Sequence, residues 1–113
     1  MNIQIFGTRK SFETKKAERY FKERKIPYQF VDRKEKGLSK GELTSVMQAV
    51  GSLEKLLDDR CRDQNTLALV KALVPSQQFD KLLENQQLLI DPIVRNGRQA
   101  TAGYCPDIWK EWK

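Results

Sequence analysis

The chain opens with a strand, a basic turn, a helix and a second strand, and this unit most constrains what the sequence can fold into. Ile3-Gln4-Ile5-Phe6 alternates apolar and polar side chains and reads as a short strand. Gly7 and Thr8 break the pattern, and Arg9 and Lys10 place two cations in a tight loop. Ser11 is a favoured N-cap residue for the helix that follows. Phe12, Ala17, Tyr20 and Phe21 recur at helical spacing, while Lys15, Lys16, Arg19 and Lys22 fill the opposite side. Pro27 ends the helix, and Tyr28-Gln29-Phe30-Val31-Asp32 alternates again as a second strand. Two strands joined by one helix favour a right-handed parallel crossover.

Beyond Gly37, Ser39 followed three residues on by Glu42 is a capping box and predicts a helix carrying Leu43, Val46, Met47 and Val50 on one face, stopping at Gly51. From Ser52 to Leu89 helical spacing continues through three or four short pieces, one starting at Pro75. Strand chemistry returns at Leu88–Val94. Asn96-Gly97 predicts a two-residue hairpin turn, with Gln99–Ala102 as the partner strand. Pro106 opens a final helix with Ile108, Trp109 and Trp112 packing back. The order βαβ, helices, ββ, α is an α/β layer fold with a mixed sheet. It is expected as a single domain over 1–113, with 1–36 and 88–113 as core and 37–87 as an inserted helical subdomain.

Composition narrows the function classes. Hydrophobic residues make up 39% and charged residues 32%, the balance of a globular domain. No apolar run is long enough to span a bilayer and no secretory signal pattern is present, so the expectation is a cytoplasmic protein without a membrane partner. Cys61 and Cys105 make no disulfide framework or zinc spacing, and with no histidine in the chain no metal site is expected. The net charge of +6 is concentrated: residues 1–41 carry a net +7 and the remainder −1. Glu13, Glu18, Glu23 and Glu35 interleave with those cations, which favours a solvated, ion-paired helix over direct nucleic-acid binding.

The start of the first helix is where anion chemistry is cheapest, because unpaired backbone N–H groups and the positive end of the helix dipole converge there. A cysteine at Ser11 would have its thiolate stabilised. The serine hydroxyl needs a general base, and no histidine exists to supply one, so Ser11 reads first as a plain helix cap. Cys61, between Arg60 and Arg62, is a relocated nucleophile or a buried structural thiol. Cys105, at the start of the last helix, presents the same choice.

These pieces together resemble the arsenate reductase (ArsC/Spx) family, nearly end to end. Its C-x-x-[CV]-[RK]-K-A signature falls on Ser11-Phe12-Glu13-Thr14-Lys15-Lys16-Ala17. Tyr28–Asp32, Gly37, Leu38, Ser39 and Leu43 are similar to F-x-D-x-x-x-x-G-x-S-x-x-E-L. Leu56–Arg60 is similar to L-[IV]-N-x-R, Leu89–Val94 to L-I-[KR]-R-P-I-V, and Gly103-Tyr104 to G-[FY].

The resemblance implies a thioredoxin-like three-layer fold, a nucleophile position at Ser11, and a cis-proline at Pro92 beside the signature loop. It also implies that Thr14 stands where the regulator branch has its second cysteine, and Asp91 where the family has an oxyanion-binding arginine. Near a protein surface such a unit-charge contact is on the order of 4 kcal/mol, so Asp91 is expected to repel what the arginine attracts. The anion-binding candidates are Arg9, Lys10, Lys15, Arg60 and Arg95, the last as a replacement for the missing arginine. No cofactor is expected to be bound; glutathione or another thiol reductant is the implied co-substrate. Three functions follow: an arsenate-reductase-like thiol oxidoreductase linked to glutathione or glutaredoxin and inactive as the chain stands; an Spx-like regulatory module binding RNA polymerase; and a non-catalytic binder of an oxyanion or glutathione.

Overall fold

The computed structural model describes residues 1–112. Four strands, β1 (Ile3–Gly7), β2 (Tyr28–Asp32), β3 (Ile93–Asn96) and β4 (Gln99–Ala102), form one sheet in the order β2-β1-β3-β4. β1 and β2 are parallel, as the crossover predicts; β1–β3 and β3–β4 are antiparallel, so the sheet is mixed. Five α-helices accompany it: α1 (Phe12–Glu23), α2 (Lys40–Val50), α3 (Gln64–Ala72), α4 (Pro75–Glu84) and α5 (Pro106–Trp109). Short 3-10 turns at Glu54–Leu56 and Gln86–Leu88 join the insertion to the rest. Among the described residues, no helix is long and apolar enough to cross a membrane.

Alternation along the central strands builds a core on each face of the sheet. Ile3, Ile5 and Val94 point to one side, where Ala17, Tyr20 and Phe21 of α1 and Trp109 and Trp112 cover them. Phe6 and Ile93 point to the other, where they meet Leu43 and Val46 of α2 and the leucines of the insertion. The helix α2 therefore packs on the sheet itself. It is held at its start by the Ser39–Glu42 capping box and stopped by Gly51 at φ 99°, a left-handed conformation that glycine adopts without cost.

Four sequence expectations shift in detail. Phe12 is 80% exposed rather than part of the buried stripe, because Thr14 is the first α1 residue to reach the core. Ile108 is half exposed while Trp109 and Trp112 are buried, because α5 is a single turn that presents only its tryptophan face to the sheet. The strand read from Leu88 begins only at Ile93; before it lie a lone bridge between Leu57 and Leu89 and the cis Asp91–Pro92 bond. Strand register places Asn96 opposite Gln99, so the two turn residues are Gly97 and Arg98. Gly97 alone takes a positive φ (62°), the II′ arrangement that wants glycine first.

Candidate functional site

β1 delivers the chain directly to the start of α1. The Ser11 N–H donates to the Thr8 carbonyl (3.1 Å), and the Ser11 hydroxyl accepts from the Thr14 N–H (3.2 Å). Thr14 packs hard against Gly7: a Cβ there would lie 2.4 Å from Thr14 Oγ1, so only glycine lets the helix start approach the strand this closely. Thr14 Oγ1 is fully buried and has no hydrogen-bond partner among the described residues.

Opposite this turn runs the segment before β3. The Ile90 N–H donates to Leu56 O and the Asp58 N–H to Leu88 O, both at 2.8 Å, which pins the 56–60 loop beside Asp91 and the cis-Pro92. Gly103 closes the far side through its N–H to Pro92 O (2.8 Å). The result is a cleft of about 590 Å³ that Ser11, Arg60, Asp91 and Tyr104 line together.

The electrostatics of the cleft turn on a residue absent from the sequence candidates. Arg33, at the end of β2, is nearly buried; its Nη2 lies 2.5 Å from Asp91 Oδ1 and its Nε 3.1 Å from the same oxygen. The guanidinium also donates to the carbonyls of Gln86 and Leu89. The other Asp91 oxygen accepts from the Thr8 hydroxyl (3.1 Å). The expected repulsion by a bare Asp91 is thus corrected: its charge is matched by a cation built into the wall. The topology held the signal, since parallel β1 and β2 bring their carboxyl ends together and Arg33 N–H donates to Gly7 O (2.8 Å).

Of the candidate residues, the fold brings Ser11 and Arg60 to the cleft, with Pro92 in the cis form beside them. Arg9 instead stacks over Phe30 (5.1 Å) and sits 3.5 Å from Asp32. Lys10 is exposed in the turn, and Lys15 lies on the outer face of α1 with Glu18, Arg19 and Lys22. Arg95 is carried to the α2 side of the sheet, where it donates to Gln4 Oε1 (3.1 Å) and approaches Glu42 at 3.6 Å. Strand alternation, which was to aim Arg95 at the cleft, aims it instead with Phe6 and Ile93 toward α2. Among the described residues, Arg60 is therefore the one cation lining the cleft, against the carboxylates of Glu13, Asp58, Asp59 and Asp91.

Both cysteines are free. Burial, then the nearby Asp58 carboxylate, pushes the Cys61 thiol up, and its Sγ lies 3.7 Å from Asp63 O. The flanking arginines do not reverse this. Burial also raises the Cys105 thiol, which donates to Ala102 O at 3.4 Å.

A mixed sheet whose first strand feeds a helix N-terminus facing a cis-proline defines a thioredoxin-like fold. More particularly, the whole chain superposes on arsenate-reductase-type structures. An ArsC-family-related protein of Bacteroides fragilis matches with a TM-score of 0.88 at 20% identity, covering 100% of this chain and 98% of that one. An arsenate reductase of Vibrio cholerae matches at 0.83 and 22%, covering 98% and 97%. An arsenate reductase (ArsC) related protein of Brucella melitensis matches at 0.69 and 20%, covering 99% and 94%. Neither a family model nor a curated protein sequence matches the chain. What is shared at this identity is the fold, and it is the fold of the family the sequence resembles.

Proposed function

We propose that this chain is an arsenate-reductase-related, thioredoxin-fold protein that keeps the thiol-handling cleft but carries Ser11 in place of the nucleophile. As it stands it receives a glutathione- or glutaredoxin-type thiol partner without performing thiol–arsenate exchange. One observation carries the reading: the Ser11 hydroxyl caps α1 inside the cleft beside Asp91 and cis-Pro92, with no histidine to activate it. The chain has no histidine, and both Asp91 oxygens are already engaged by Arg33 and Thr8. The excess of carboxylates around Arg60 weighs against tight retention of an oxyanion.

The test is Ser11→Cys, followed by iodoacetamide alkylation as a function of pH. Contact with the α1 amides is expected to bring the new thiol below the ordinary value of about 8.5 and to give glutathione-dependent arsenate turnover that the parent chain lacks. A thiol titrating at the ordinary value would show that the site never supported this chemistry.

Phe12 favours a second reading. Eighty per cent exposed and adjacent to Ser11, it offers an apolar anchor to a protein rather than to a small molecule, as an Spx-like module docking on RNA polymerase requires. Capture of purified RNA polymerase, lost on Phe12→Ala, supports that reading; no capture at low salt removes it.

A further inference from the structure

Away from the cleft, β4 is an outer strand of the sheet and pairs only with β3. The register places Gln99 opposite Asn96 and Thr101 opposite Val94, and Gly103 N–H donates to Pro92 O. Antiparallel alternation then turns the N–H and C=O groups of Ala100 and Ala102 outward. Ala102 O takes the Cys105 thiol; among the described residues the Ala100 pair and the Ala102 N–H have no partner. Nothing in Gln99–Ala102 guards this edge: it holds no proline, no charged side chain and no bulge.

The edge lies at the bottom of a groove of about 660 Å³. Ala49 and Val50 of α2 form one wall, and Ile108 and Trp112 form the other. An added strand would send successive side chains to opposite walls, so its buried residues must be apolar at consecutive positions rather than alternate ones. Among the described residues, the only charged ones lining the groove are Lys55 and Arg98, both exposed and neither in an ion pair there.

We propose that this groove binds an extended peptide segment of another protein, added as a fifth strand on β4, with a short continuous apolar core flanked by carboxylates that meet Lys55 and Arg98. Main-chain pairing with Ala100 and Ala102 supplies affinity, and the two walls and two cations supply selectivity. A second copy of this chain fits less well. It would bring the same two cations to the interface, on a protein already carrying +6. The surface uses none of the residues of the Ser11 cleft and stands independently of the function proposed there.

The probe is a fluorescein-labelled peptide with two glutamates at each end of a four-residue valine–isoleucine core, compared by anisotropy with the same core between lysines. Saturable binding of the acidic peptide, and weaker binding of the basic one, is expected. Ala100→Pro removes an outward N–H without touching the β3 ladder and should weaken binding about fivefold or more. Lys55→Glu with Arg98→Glu, both on exposed side chains, should reverse the preference in favour of the lysine-flanked peptide. If Ala100→Pro loses its circular dichroism spectrum, this second variant decides alone. The proposal is overturned by absence of saturable binding, by a folded Ala100→Pro chain that binds equally well, or by a charge-reversed chain that still prefers glutamates. It is overturned equally by a dimer in sedimentation velocity that Ala100→Pro dissolves, since the edge then belongs to a second copy.

Discussion

At the scale of single residues, Arg33 and Asp91 show how a change at one position is absorbed by another. Asp91 precedes the cis-proline where the resembling family has arginine, and Arg33 enters the same wall from β2 with opposite sign. The pair is largely shielded, with side chains 8% and 18% exposed, so losing one partner leaves the other charge poorly solvated. Truncating one member of such a buried pair costs about 3–5 kcal/mol, much of it the desolvated charge left behind. Urea unfolding of Asp91→Ala should therefore show a loss of that order. Arg33→Met combined with Asp91→Leu should lose much less than the two single losses added together, because no orphan charge remains. Additive losses would mean that the two residues act separately and that Asp91 faces the cleft as a free charge. Neither the spacing of Arg33 nor its local pattern separates it from the eight cations from Arg9 to Lys25, and only the parallel strand pairing makes it visible.

At the scale of elements, the parts legible in the sequence are those fixed by local chemistry. The capping box at Ser39 and Glu42 sets the start of α2, Gly51 sets its end, and Gly97 sets the hairpin. What escaped was decided by neighbours distant in the chain. Arg95 has an ordinary strand position, and whether it faces the cleft or α2 depends on its register with Gln4, ninety-one residues away. The contact between α1 and β2 is also of this kind: Tyr28 donates its hydroxyl to Glu18 Oε1 at 3.1 Å. Burial, aided by the adjacent Glu18 carboxylate, pushes the Tyr28 phenol from its ordinary value of 10.0 up to about 12. The folded chain thus holds this proton more tightly than the unfolded chain. The stabilisation is complete below the unfolded value and is lost as pH rises from 10 to about 12. Melting temperature should fall across that window, and Tyr28→Phe, which has no phenol to ionise, should fall less steeply. Equal slopes would place the Tyr28 hydroxyl in solvent rather than on Glu18.

At the scale of the whole molecule, one four-stranded sheet separates two cores: α1 and α5, from opposite ends of the sequence, close one, and α2 and the insertion, from its middle, close the other. The cleft depends on this arrangement, because Ser11 belongs to a helix held on one face while Arg60 belongs to a loop held by the insertion on the other. The single-turn α5 is the weakest cover by length, yet it carries Trp109. That indole packs edge-on against Tyr20 (5.2 Å between centroids) and Tyr104 (5.5 Å), lies tilted on Phe21 (5.2 Å), and donates its N–H to Thr101 Oγ1 at 2.7 Å. Trp109→Ala removes the side chain that closes the α1 face and leaves the buried Thr101 hydroxyl without its donor. Large-to-small changes of this kind cost about 3–5 kcal/mol, a large share of the roughly 5–15 kcal/mol that holds a domain together. Because Tyr104 rests on Trp109 and lines the cleft, the loss should reach the site: a Ser11→Cys, Trp109→Ala chain should alkylate with a thiol pKa closer to the ordinary value than Ser11→Cys alone. A drop in unfolding free energy with an unchanged thiol would show that the cleft is held by the insertion side and owes nothing to α5.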